Sequence, residues 1–360
     1  MTVSLDSGNQ LLSIVIPAYN EESSVDTVYR RVADVLAGID KLEWELIFAV
    51  DPSTDATERK IIELNARDPR VHMLRMSRRF GQPAATIAGM AASSGDAVVV
   101  IDSDLQDPPE LIVEMVASWR DGFDVVYAQR RSRKGETLAK RLVSWLGYRV
   151  IRRIAEVEIP PNVGDFRLMS RRVVDNVVAL DESHGFLRGL VGLVGFRQTA
   201  VMYDRDPRVS GASKYNQTFG SLRIGLNGII GFSRYPLQVI SILGLLFSAL
   251  AIVGAVVYGV LRTLGLGFPA GGAIVIMIAF FAGIQLLSLG VMGEYVGRIY
   301  DEVKNRPKYI VESRVGFTSP VPTTSAAGAI EASRHLEMEA GTDQHHPAEA
   351  GERRSGPNHG

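Results

Sequence analysis

The chain has 360 residues, a formal net charge of −1 and no cysteine. That length accommodates one or two domains with a full core, and the missing cysteines exclude disulfide frameworks, thiolate metal sites and cysteine nucleophiles. The near-zero charge gives no global electrostatic footprint for nucleic acid, so no nucleic-acid partner is expected.

The opening MTVSLDSGNQLLSIVIPAYNEE has no basic n-region and carries an acidic residue before its short apolar run. It does not resemble a secretory signal, so the N-terminal part is expected in the cytoplasm. LLSIVIPAY is predicted as a buried strand, followed by a helix that Asn20 caps, with Glu21 and Glu22 in its first turn and Gly38 at its end. WELIFAV, VHMLRM, DAVVVID and FDVVYAQR are further strands, separated by helical stretches over 56–66 and 82–93. This alternation predicts an α/β fold with a doubly wound, mainly parallel sheet. Ligands of such sheets gather at the carboxyl ends of the strands, and polar clusters fall at three of those ends: 17–22, 51–55 and 102–107.

The third cluster, in AVVVIDSDLQDPPEL, places Asp102, Asp104, Asp107 and Glu110 where a buried strand ends. Like charges so spaced repel unless a cation neutralises them. The chain has neither a GxGxxG after its first strand nor a GxxxxGK[ST] anywhere, so a phosphate ligand needs another positive partner. A hard divalent ion, Mg²⁺ or Mn²⁺, suits carboxylates and phosphate oxygens. Asp102 and Asp104, two apart on an extended segment, can both turn to one ion. The order DPPEL also reads as a helix start, which accounts for Asp107 in part and for Glu110 almost wholly.

KGETLAKRLVSWLGYRVIRRIAE (134–156) spaces Leu138, Leu142, Leu146 and Val150 at intervals of four among basic residues. Such a helix can lie in a membrane interface or pack on the sheet with a solvated basic face, and the pattern fits both equally. Beyond it, 27 residues without a charge separate Arg234 from Arg262, and 31 more separate Arg262 from Glu294. Each run exceeds the ~20 residues that cross a hydrocarbon core. Arg223 and Arg234 precede the first run, Arg298, Lys304, Arg306 and Lys308 follow the second, and only Arg262 lies between, so both ends are expected in the cytoplasm. From 316 to 360 the composition loses periodicity and reads as a disordered tail, with His345 and His346 solvated.

Four stretches, in this order, resemble the family 2 glycosyltransferases with a GT-A fold, and within them the polyprenyl-phosphate subgroup (dolichol-phosphate mannose synthase-like and bacterial two-span glucosyltransferase members). SIVIPAYNEE is similar to the family's first strand and nucleotide-contacting turn, which implies donor contacts at Pro17, Tyr19, Asn20 and Glu22. IDSDLQDPPEL is similar to its Asp-x-Asp segment, implying metal at Asp102 and Asp104 with Gln106 near the ion. GDFRLMSRRV resembles the acceptor-side stretch with an active-site Asp, here Asp165, beside Arg167. YDRDPRVSGASKY resembles the basic segment that grips phosphates, implying Arg205, Arg208, Ser213 and Lys214. One departure stands out: the family's Asp-Asp-Gly-Ser turn is VDPSTD here. Pro52 cannot adopt a left-handed turn, which leaves Asp51 to contact the base.

The resemblance implies a cytoplasmic catalytic domain over 1–215, a juxtamembrane helix over 216–235, two transmembrane helices over 236–297, a cytoplasmic juxtamembrane segment over 298–315 and the tail. It also implies a multi-pass protein of the cell membrane acting with Mg²⁺ or Mn²⁺, and Gly283, Gly290, Gly293 and Gly297 permit the close helix contact of an expected homo-oligomer. The implied reaction is inverting transfer of a sugar from a nucleotide sugar, UDP-hexose before GDP-mannose, to polyprenyl phosphate. Asp102, Asp104, Asp165 and Arg167 carry the chemistry, with Arg205, Arg208 and Lys214 on phosphates. A phosphate monoester is already largely dianionic at neutral pH, so Asp165 is either a base or a positioning group. A processive polysaccharide synthase is disfavoured because none of Trp44, Trp119 or Trp145 follows an Arg. An idle membrane scaffold and a two-span channel subunit are the rivals from other classes.

Overall fold

A computed structural model describes residues 9–131, 160, 163–180, 187–204, 235–266, 271–318 and 323. Uninterrupted aliphatic runs form β1 (Gln10–Ala18), β2 (Leu42–Val50), β3 (Val71–Met76) and β4 (Ala97–Val100), joined by α1 (Val25–Ala37), α2 (Thr57–Arg67) and α3 (Gln82–Ala92). These four strands pair in parallel in the order β4-β1-β2-β3. The chain moves from β1 to β2 on one side and returns to β4 on the other. That reversal opens a crevice between the carboxyl ends of β1 and β4.

Alternation along the strands explains the layers. Ile14, Ile16, Phe48 and Val99 pack with α1 and α2 residues such as Val28 and Ile61, whereas Val15, Ile47, Ala49 and Val98 pack with α3 residues such as Ala88. Both faces are therefore covered, which is why these strands read as continuous apolar runs. Burying each such Ile or Val contributes roughly 1.5–3 kcal/mol. Close approach of α3 to the sheet requires Gly89, where a Cβ would lie 2.4 Å from Val15 Cγ1.

The sheet is mixed beyond its parallel centre. After α4 (Leu111–Arg120) and β5 (Val125–Arg130), β6 (Val163–Ser170) inserts antiparallel between β4 and β5. Helices α5 (Arg171–Ala179) and α6 (Leu187–Val194) lead to β7 (Gln198–Tyr203), parallel to β5 at one edge. The expected helix cap is corrected: α1 starts at Val25, after a turn in which Ser24 and Val25 donate to the Glu21 carbonyl. Asn20 instead ends β1 with a φ of 53° and turns its side chain to Thr54.

Two long helices follow, α7 (Tyr235–Thr263) and α8 (Gly271–Val303). At 1.5 Å per residue they measure about 43 and 50 Å, against ~30 Å of hydrocarbon. Their apolar side chains lie exposed, Leu245 at 73 % and Leu287 at 70 %, so no core among the described residues accounts for their composition. Both are long and apolar enough to cross a membrane. Phe247 meets Phe280 and Phe281 edge-on, at 6.1 and 5.8 Å between ring centroids.

The chain then rejoins the sheet. β8 (Val311–Val315) pairs antiparallel with β3, and Tyr309 is buried beside Met76 and Ala88. Phe317 stacks on His72 at 4.8 Å, so packing on the sheet continues two residues past the expected juxtamembrane segment. The segments predicted at 134–156 and 216–234, and nearly all of the predicted tail, lie outside the described residues.

Candidate active site

The first two polar clusters interlock. Asn20 accepts from the Thr54 amide at 2.8 Å and donates to Thr54 Oγ1 at 3.1 Å, and its own amide donates to Ser53 Oγ at 3.1 Å. Glu22 accepts from the Ala56 amide at 2.9 Å, and its amide donates to Asp55 at 3.2 Å. Pro17 is buried in β1, while Tyr19 is half-buried with the Arg79 guanidinium 4.0 Å above its ring. Asp51, expected at a base, is buried, and its two oxygens accept from the Phe80 and Gly81 amides at 3.0 and 2.9 Å. It thereby fixes the loop that enters α3, a tie between strand ends that spacing along the chain did not reveal.

The third cluster lies across from Asp165. β4 and β6 pair antiparallel with Val100 opposite Arg167, and two residues further along that register Asp102 falls opposite Asp165. Gln82 at the start of α3 donates to Asp102 at 2.7 Å. Asp104 accepts from the Gln106 amide at 3.1 Å, closing a turn in which Leu105 takes a φ of 54° while its side chain stays buried. A bulky residue with that backbone costs on the order of 1–2 kcal/mol, which the buried Leu105 side chain offsets.

Charges in this crevice are unevenly balanced. Desolvation, with Asp165, Asp107 and Asp104 nearby, pushes the Asp102 carboxyl up to about 7, against the pull of Arg188. Burial alone would raise Asp165 as well, but Arg188 and Arg167 hold it below the usual carboxylate range. The Arg188 Nε donates to Asp165 at 2.9 Å. Arg167 is buried, donates to the Gly164 carbonyl at 2.8 Å and leaves its Nε without a hydrogen-bond partner. Burial lowers its guanidinium to about 10, which keeps it cationic at neutral pH.

Two residues that sequence reasoning missed complete the site. Arg188 is one. Tyr203 is the other: its hydroxyl donates to the buried Asp107 and accepts from Arg130 Nε at 3.0 Å. Asp107 thus belongs to a network that joins the Asp102–Asp104 loop to the end of β7, whereas Glu110 stands at the start of α4, as its helix-start reading expected, and bonds to Arg31 of α1 at 2.7 and 2.9 Å. Arg205, Arg208, Ser213 and Lys214 lie outside the described residues, starting two residues after Tyr203.

Asp102 and Asp104 offer hard oxygen donors, and Asp102 is raised first by burial and then by the Asp165, Asp107 and Asp104 charges around it, which Arg188 opposes without cancelling. This fits Mg²⁺ or Mn²⁺, which accept one or two carboxylates and fill their shells with water and phosphate. Among the described residues, no group of three or more His, Cys, Asp and Glu could hold an ion alone.

Comparison with known proteins shows the family. Residues 13–178 match the glycosyl transferase family 2 model. An uncharacterized glycosyltransferase of Synechocystis is 44% identical over 308 residues, 85% of this chain and 96% of that protein. A prophage-derived bactoprenol glucosyl transferase of Shigella flexneri is 40% identical over 306 residues, 84% of this chain and 97% of that protein. Among solved structures, the Mycobacterium tuberculosis glucosyl-3-phosphoglycerate synthase with Mn²⁺ and UDP-glucose is 21% identical, covering 61% of this chain and 78% of that one at a TM-score of 0.40. The chain belongs to glycosyl transferase family 2 and is a glycosyltransferase.

Proposed function

We propose that the chain transfers a sugar, with inversion, from a UDP-hexose to polyprenyl phosphate at the cytoplasmic face of the cell membrane. The observation that carries the reading is the meeting of the Asp102–Asp104 loop with Asp165, Arg167 and Arg188 at the carboxyl ends of the parallel strands. A site for a diphosphate leaving group needs positive charge where negative charge develops. A divalent ion on Asp102 and Asp104 would supply that neutralisation. The interlocked loops around Asn20, Glu22 and Ser53 form the donor side. Asp165, kept ionised by the Arg188, Arg167 and Arg130 guanidinium groups, positions those cations for the acceptor phosphate or accepts from a sugar hydroxyl, since the phosphate itself needs little deprotonation.

The acceptor assignment is supported by the bactoprenol glucosyl transferase relative, aligned over nearly its whole length. The membrane assignment is supported by α7 and α8: an even number of crossings returns the chain to the side it left, and β8 rejoins the sheet directly afterwards. The catalytic unit is then 1–215 plus β8, with the hairpin as anchor.

The test uses membranes containing the wild-type chain or Asp104→Ala, with Mg²⁺, polyprenyl phosphate and a panel of labelled UDP- and GDP-sugars. Label should enter the solvent-extractable lipid from one UDP-hexose, and both the mutation and chelation should abolish it. Transfer from GDP-mannose alone would overturn the donor, and transfer that survives Asp104→Ala would overturn the metal site.

A further inference from the structure

The strand that returns from the second apolar helix is wired into the donor-side loops. Glu312 in β8 binds Arg75 Nη1, Arg75 Nε donates to Glu58 Oε2 at 2.8 Å, and Glu58 Oε1 accepts from the Ser53 amide at 3.0 Å. Ser53 Oγ in turn accepts from the Asn20 amide at 3.1 Å. A second tie runs in parallel: the Ser77 amide donates to the Ile310 carbonyl at 2.9 Å. Ser77 begins the loop whose Phe80 and Gly81 amides hold Asp51 and whose neighbour Gln82 holds Asp102.

We infer that Glu312 and Arg75 are positioning residues for donor binding, through which the chain beyond the second apolar helix sets the geometry of the 51–57 loop. Three side chains in a row make charge-assisted contacts, and each fixes the next. Arg75 spans the gap because its planar fork reaches two carboxylates at once. Without Glu312, Arg75 and Glu58 retain their mutual bond but lose the anchor on the far strand. Arg75 and Glu58 are about a quarter exposed and Glu312 about half, so solvent screens the chain and the effect is moderate.

The experiment uses the full-length chain in lipid nanodiscs. Hydrogen exchange of the 51–57 segment is measured without donor in wild type, Glu312→Gln, Glu58→Gln, the double variant, and the exposed control Glu63→Gln. Glu312→Gln should speed exchange of that segment about five-fold, the control should not, and the double variant should add little to Glu58→Gln because both act through one chain. Donor KM with UDP-glucose and Mg²⁺ should rise by a similar factor while kcat and acceptor KM hold. Unchanged exchange in Glu312→Gln overturns the inference. Because this role rests on the donor-side reading above, the arms separate the two: faster exchange with an unchanged donor KM leaves the strand-to-loop coupling standing and removes the donor role of the loop. Additive effects of Glu312→Gln and Glu58→Gln would overturn the single-chain route.

Discussion

Replacing Arg188 with Leu isolates what the guanidinium does for Asp165. In the wild-type chain Arg188 Nε lies 2.9 Å from Asp165 Oδ1, and both side chains are about one-third exposed. A hydrogen bond to a charged group contributes about 1.5–3 kcal/mol when well formed. Partial exposure screens it, which puts the expected loss at the lower end. At ~1.4 kcal/mol per factor of ten, kcat/KM should fall about ten-fold. Arg167 remains in place, so the loss should stop well short of that from Asp165→Asn.

The pH profile discriminates further. Asp165 is held below its ordinary range by Arg188 and Arg167 acting against burial. A carboxylate with a depressed pKa stays ionised as pH falls through the ordinary carboxylate range and is protonated only below it. Removing Arg188 leaves desolvation less opposed, so the pKa rises and the acidic limb of kcat/KM moves to higher pH. Initial rates taken from below the ordinary carboxylate range up to neutral pH, at saturating Mg²⁺ and donor, measure this shift. An unmoved acidic limb, together with less than a two-fold loss in a variant that folds normally, would refute the claim that Arg188 sustains the ionised Asp165.

Four further outcomes follow from the same geometry. Tyr203→Phe removes the hydroxyl shared by Asp107 and Arg130 and should destabilise the protein by roughly 1–3 kcal/mol, read as a lower apparent Tm. Gly89→Ala forces a Cβ to 2.4 Å from Val15 Cγ1 and should cost about 1–3 kcal/mol through overpacking, by the same measurement. Burial lowers the His72 pKa, against opposing contributions led by Glu45. Its folded pKa therefore lies below the unfolded one near 6.5, and stability present above pH ~6.5 should be lost as pH falls through the folded value, a slope that His72→Phe should flatten. Metal-free Asp102 titrates at about 7, so calorimetric Mg²⁺ affinity should weaken as pH drops below 7, approaching ten-fold per unit if one proton is displaced.

The parallel core was legible because its strands are buried on both faces and its helices carry a clear apolar stripe. Helices predicted over 56–66 and 82–93 appear at Thr57–Arg67 and Gln82–Ala92. β8 was not legible: VESRV is five residues with a polar centre, at a sheet edge where one neighbour suffices. Its signal lies in distant contacts, Tyr309 in the core and Phe317 on His72. The Asn20 cap failed for a related reason. An Asn before two glutamates suits an N-cap locally, but the Thr54 amide across the crevice supplies a competing partner and the helix starts five residues later.

Legibility of the candidate site divides along the same line. Asp102 and Asp104 stood out because carboxylates at a strand end are costly and spacing exposes them, whereas Asp165 entered only through the resemblance of GDFRLMSRRV to the family's acceptor-side stretch. Their cationic partners did not, because electrostatic pairing acts through space: Arg188 reaches Asp165 from the first turn of α6, and Arg130 reaches Asp107 from the end of β5. The net charge of −1 conceals this, since four aspartates and three buried or half-buried arginines nearly cancel inside one crevice. The near-cancellation is itself informative. Three guanidinium groups hold Asp165 ionised yet do not keep Asp102 from being pushed up to about 7, so the negative charge left unbalanced lies on the Asp102–Asp104 loop, where a divalent cation beside a diphosphate would offset it.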